Sequence, residues 1–154
     1  MTNNDVLRRL RYVFDFDDDK MIELFSLTGI EVTRAEISDW LKKDDDPDYQ
    51  RCTDQQMATF LNGLIIDKRG KQDGPQRPPE HRLGNNLTFM KLKIALNLKA
   101  EDVLEILKLG GMTLSKHELS AFFRKPEHKH YRECKDQVLR NFLNGMQAKY
   151  HDNK

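Results

Sequence analysis

The chain has 154 residues, with 26 Lys plus Arg against 25 Asp plus Glu, 38% hydrophobic residues and a mean hydropathy of −0.77. That apolar content, at a formal charge of +1, excludes the low-hydrophobicity, high-charge regime of disordered chains, and no apolar run approaches the roughly 18 residues of a membrane span. The N-terminal stretch MTNNDVLRRLRYVFDFDDDK lacks the apolar core of a secretory signal, and two cysteines without a zinc or redox motif suit a reducing compartment, so a cytoplasmic protein is expected.

A first helix is predicted from Val6, Leu7, Leu10, Val13 and Phe14, which recur at helical spacing behind Asn3, Asn4 and Asp5, all good N-cap residues. A second carries Met21, Ile22, Leu24, Phe25 and Leu27. Asp17, Asp18 and Asp19 stand at its positive end, and Gly29 can enter the left-handed region that stops a helix. Thr33 and Glu36 form a capping box opening a third helix with Ile37, Trp40 and Leu41 on one face. A fourth starts near Asp54 and carries Met57, Phe60, Leu61, Leu64 and Ile65. Residues 69–84 then hold three Gly and three Pro with no apolar period, which reads as a basic linker.

From residue 85 the chain repeats itself. A shift of 82 aligns Asn3–Leu64 with Asn85–Met146 without a gap, with 17 identities in 62 positions. TRAEIS at Thr33–Ser38 returns as SKHELS at Ser115–Ser120, including the capping box as Ser115 and Glu118. Tyr49–Gly63 returns as Tyr131–Gly145, sharing Tyr, Cys, Asp-Gln and Phe-Leu-Asn-Gly. Duplication is the economical explanation. No alternating strand pattern competes, so the fold class is all-α: two tandem copies of a four-helix unit, residues 1–68 and 85–150. A unit of this size buries little surface alone, so the copies are expected to pack together about a pseudo-twofold axis.

The sequence offers candidates for four kinds of chemistry. The Gly-joined second and third helices of each copy invite a helix-turn-helix reading, with Arg34, Lys42 and Lys43 outward in the first copy. In the second, the candidate nucleic-acid contacts are Lys116, Arg124, Lys125, Lys129 and Arg132. Glu36, Asp39 and a connection too long for a tight turn favour a plain helical hairpin instead. Asp15/Asp17/Asp19 and Asp44/Asp46/Asp48 open like calcium loops but lack the Gly and bidentate Glu that such loops need. His117, His128, His130 and Cys134 fit no zinc spacing. Neither a metal nor a cofactor is therefore expected. Cys52 and Cys134 precede a helix, yet no triad or phosphate loop accompanies them, so packed thiols are favoured over nucleophiles.

The repeated patch leaves two readings. Gly63 and Gly145, poor helix formers inside a helical pattern, would let the copies or two subunits approach closely. Alternatively Tyr49, Gln55 and Asn62, with Tyr131, Gln137 and Asn144, form a polar recognition groove present twice. The expectation is a non-enzymatic binding module whose partner is a protein or a second copy, without a small-molecule substrate. Nucleic acid held by the second copy is the alternative.

The start NNDVLRRLRY, the stretch TRAEISDWLKK and the pattern Y-x-x-C-x-D-Q…F-L-N-G resemble the YehS-like family of short bacterial proteins. The resemblance covers nearly the whole chain. It implies a duplicated domain and a bacterial cytoplasmic setting, and it carries over no catalytic or binding residue.

Split at the repeat, the near-zero charge resolves into opposed halves. Residues 1–68 carry net −6, residues 69–85 net +2 and residues 86–154 net +5, and all five histidines follow the first copy. The low overall charge therefore does not argue against nucleic-acid binding by the second copy, and opposite charge could equally dock the two copies or leave the basic one free for an acidic partner.

Overall fold

The computed structural model describes residues 1–153, and its backbone there is helical with no strand. Two compact units divide between Leu83 and Gly84. The first contains α1 (Asn3–Phe14), α2 (Asp18–Ser26), α3 (Arg34–Leu41) and α4 (Asp54–Arg69). The second contains α5 (Asn85–Ala95), α6 (Ala100–Leu109), α7 (Lys116–Ala121) and α8 (Asp136–Met146), followed by a π-helical turn over Gln147–His151. The duplication read from the sequence is thus a duplication of structure.

The helix starts follow local chemistry. Thr33 Oγ1 accepts from the Glu36 amide at 3.1 Å while Glu36 Oε1 accepts from the Thr33 amide at 3.0 Å. Ser115 and Glu118 do the same at 3.1 and 2.9 Å. Each box satisfies two amides that the first turn leaves without partners. Asp17 caps α2 through the Lys20 amide, and Gly29 takes φ +83° after it.

The first helix departs from expectation. Its cap is Thr2, which pairs reciprocally with Asp5. Asn3 and Asn4 lie inside the helix, and their side chains are used elsewhere.

The core of the first unit is built around Phe25, 5.5 Å from Trp40 and 5.6 Å from Phe60, with Leu7, Leu10, Met21 and Leu24 fully buried. The second centres on Phe89, whose ring lies 4.7 Å from Phe142, 4.9 Å from Phe123 and 6.3 Å from Phe122. Residues 69–78 are exposed, whereas Leu83 is buried and its amide donates to Asp54 Oδ2 at 3.0 Å. The last part of the Gly/Pro segment therefore folds onto the first unit. No helix among the described residues is long and apolar enough to cross a membrane.

Candidate functional site

Each unit is held by an asparagine clasp. Asn4 Nδ2 donates to the carbonyls of Trp40 (2.9 Å) and Gln50 (2.8 Å), and its Oδ1 accepts from the Cys52 amide at 3.0 Å. Asn3 Nδ2 donates to the Cys52 carbonyl and to Asp54 Oδ1, at 3.1 and 2.8 Å. The second unit repeats every bond. Asn86 reaches Phe122, Arg132 and Cys134, and Asn85 reaches Cys134 and Asp136. The Cys and Asp of the repeated patch are therefore the far side of this clasp. It ties the irregular segment before the fourth helix to the first helix and satisfies backbone groups that a loop cannot pair internally. The hydrogen bond from Asn3 and that from the Leu83 amide hold the Asp54 carboxyl below the usual carboxylate range.

Gly63 and Gly145 act within each unit, which corrects the expectation that they serve contact between copies or subunits. A Cβ on Gly63 would stand 1.8 Å from the Leu24 carbonyl oxygen of α2, and one on Gly145 1.8 Å from the Ile106 carbonyl oxygen of α6. Glycine is required because the fourth helix rides directly on the backbone of the second.

Tyr49 and Gln55 line different hollows. Tyr49 lies beside Thr2, Asp5, Arg8 and Lys43, whereas Gln55 lies beside Ile30, Glu36, Trp40 and Pro79. Asn62 is half-buried, and Tyr131 is half-buried with its amide bonded to the His128 carbonyl. Gln137 is exposed and donates to Asn141 Oδ1 at 2.6 Å, and Asn144 is exposed. Among the basic residues, Lys116 pairs with Glu101 at 2.7 Å and the Arg132 guanidinium lies 5.6 Å from the Phe122 ring. Lys125 and Lys129 are exposed, and Arg124 is half-buried. The connections between the second and third helices span residues 27–33 and 110–115, longer than a helix-turn-helix turn.

The thiols of Cys52 and Cys134 are buried, and burial pushes both up to about 12. A thiol held there is almost wholly protonated at neutral pH and a poor nucleophile. His128 and His130 sit in an exposed turn with rings 5.6 Å apart, and among the described residues no three His, Cys, Asp or Glu side chains converge on a metal position.

A concavity that the sequence does not announce lies in the first unit. An open groove of about 860 Å³ runs between α1 and α3, lined by Arg8, Arg11, Tyr12, Phe16, Leu41 and Lys42 among others. Tyr12 is 51% exposed on the side of α1 away from Val6, Leu7, Leu10 and Val13. Its repeat equivalent on α5 is Ile94, which is 42% exposed. The signal was available: both copies put a large apolar residue at one position out of phase with the buried face. Every cation of the groove is matched by an acid. Arg8 pairs with Asp5, Arg11 with Asp18 at 2.5 Å and Lys42 with Asp39 at 2.6 Å.

These features define a duplicated helical domain whose units share one clasp, one helix crossing and one outward face. The chain belongs to the family described as "Protein of unknown function (DUF1456)", whose model matches twice, over residues 3–70 and 85–151. It is 42% identical over 155 residues to "Uncharacterized protein YehS" of Escherichia coli (strain K12), covering 100% of this chain and 99% of that protein. No solved structure matches.

Proposed function

We propose that the chain is a non-catalytic protein-binding module whose working surface is the outward face between the first and third helices of each unit. One observation carries the reading. Tyr12 and Ile94, equivalent through the duplication, are both held out to solvent on that face. A lone exposed apolar residue needs no explanation. The same exposure at the same position in two units that differ at 45 of 62 aligned positions, this one included, beside a groove in the first, suits a surface that meets a partner. Burial of both thiols supports the absence of nucleophilic chemistry.

Affinity capture from native lysate, with and without nuclease, tests the reading on the full chain and on the double variant Tyr12→Asp, Ile94→Asp. Proteins held by the parent chain after nuclease treatment should be lost from the variant. Identical captured proteins would overturn the proposal. Loss of everything on nuclease treatment would favour nucleic acid held through the +5 second unit. Light scattering over a concentration series reports whether the partner is a second copy.

A further inference from the structure

The two outward faces differ in one systematic way. The acids that neutralise the first groove, Asp5, Asp18 and Asp39, correspond to Leu87, Ala100 and Ala121 in the second unit. Two of the three cations persist, Arg11 as Lys93 and Lys42 as Arg124. The consequence is visible in their surroundings. Lys93 Nζ lies 5.6 Å from the Phe123 ring centre, a cation–π contact with no acid involved. Arg124 Nη2 makes a long contact with Ser120 Oγ at 3.4 Å, and its Nη1 is shielded from solvent without a hydrogen-bond partner among the described residues. A guanidinium presents a fork of donors suited to a planar carboxylate; leaving Nη1 unbonded is costly, and it meets a carboxylate once the side chain swings outward.

We infer that this face of the second unit binds an acidic peptide segment of a partner protein, its carboxylates taken by Arg124 and Lys93 and its apolar side chains by Ile94 and Phe123. The inference rests on the binding-face reading above and adds the chemistry of the occupant. The first unit supplies the template, because there the chain's own carboxylates occupy the equivalent positions. Charge sets the direction, since residues 86–154 carry +5. Nucleic acid fits less well. Lys116 is already paired with Glu101, Glu127 interrupts the exposed run of Lys125, Lys129 and Arg132, and Glu133 follows it directly, whereas a phosphate backbone rewards an unbroken row of cations.

The test uses the isotope-labelled full chain and amide chemical-shift mapping. The probe is a pool of capped helical peptides with glutamates at i and i+4 and leucines at i+3 and i+7, compared with the same pool carrying Gln for Glu and with a short oligothymidylate. The glutamate pool should shift amides around Lys93, Ile94, Phe123 and Arg124, and bind at least about tenfold more tightly than the glutamine pool. Ala121→Asp, which restores the acid of the first unit beside Arg124, should weaken that binding to a similar degree, as should Arg124→Gln. Equal binding of the two pools at this face would overturn the acidic occupant and leave the binding-face reading standing. Undiminished binding by Ala121→Asp, or tighter binding of the oligothymidylate there, would also overturn it. Absence of shifts from either pool overturns it too; if Ile94→Asp then also leaves captured proteins unchanged, the broader reading falls with it.

Discussion

The two units share a skeleton and differ in how they treat charge. In the first, Arg8, Arg11, Lys20, Arg34 and Lys42 all have carboxylate partners. In the second, the ion pairs include Lys116–Glu101 and Lys135–Glu133, both on exposed side chains. Duplication copied the clasp and the glycine crossing, which depend on backbone geometry, and let surface charge drift apart. What stays the same at buried positions therefore reports what the fold needs, and function is to be sought on the outward face that both units keep and in the charge by which the two faces differ.

The strongest way to break the shared skeleton is at the crossing. Gly63→Ala forces a Cβ to within 1.8 Å of the Leu24 carbonyl, and Gly145→Ala does the same at Ile106. Backbone cannot yield as a side-chain tip can, so each should cost about 3 kcal/mol or more. Denaturant unfolding followed by circular dichroism measures the loss, and amide exchange shows it confined to the unit that carries the change.

The clasp comes next, and here the units should separate. Asn4 is 1% exposed, so Asn4→Ala strands the Trp40 and Gln50 carbonyls and the Cys52 amide, at about 2–3 kcal/mol. Asn86 makes the same bonds but is only half-buried, and water can replace part of what Asn86→Ala removes. Its cost should be about half as large. Equal losses in denaturant titrations would show that burial does not set the difference.

Much of this skeleton could be read from the chain alone. The capping boxes at Thr33 and Ser115 and the stop at Gly29 are local, and local chemistry leaves a sequence signature. The clasp leaves none, because its acceptors are largely backbone carbonyls 36 to 49 residues away, which look alike in every residue type. Asn3 and Asn4 therefore resemble caps in the sequence and bridge elements in the structure. Gly63 and Gly145 announce a close approach without saying to what. The outward face was legible only through the phase of Tyr12 and Ile94, and the unpaired state of Arg124 requires knowing which acids are its neighbours.

The cysteines test whether the units are alike where charge is absent. Burial raises both thiols to about 12, from an ordinary value near 8.5. Neither should react with iodoacetamide at neutral pH on the time scale on which unfolded chain is modified. The sign of the linkage follows: the folded thiol is the weaker acid, so its contribution is intact below about pH 8.5. It declines as pH rises toward 12, because the unfolded state ionises first. Replacing both cysteines with Ala should therefore flatten the alkaline fall in stability measured between those limits. Rapid labelling of Cys134 alone would reveal an opening of the second unit that the first lacks.

The smallest effect on stability is the most telling for function. Asp39→Ala frees Lys42 in the first unit and gives it the Ala that the second unit has at 121. The Lys42–Asp39 side chains are about one-third exposed and three residues apart, so the change should leave denaturant unfolding almost unaltered. The hydrogen bond that the Lys42 ammonium donates to Asp39 raises it above its ordinary value, and that shift should shrink when the acid is removed, leaving the weaker pull of Asp46 and Asp48. The ammonium stays charged at neutral pH either way, so the variant gains an unpaired cation at the edge of a groove that already contains Tyr12, Phe16 and Leu41. If the missing acids are what opens the second unit to an acidic partner, this variant should begin to bind the glutamate peptides at the first unit, detected as new amide shifts on α1 and α3. If it does not, the absence of a counter-charge is insufficient, and the half-exposed Phe123 and the fork of Arg124, neither of which the first unit has, must supply the difference.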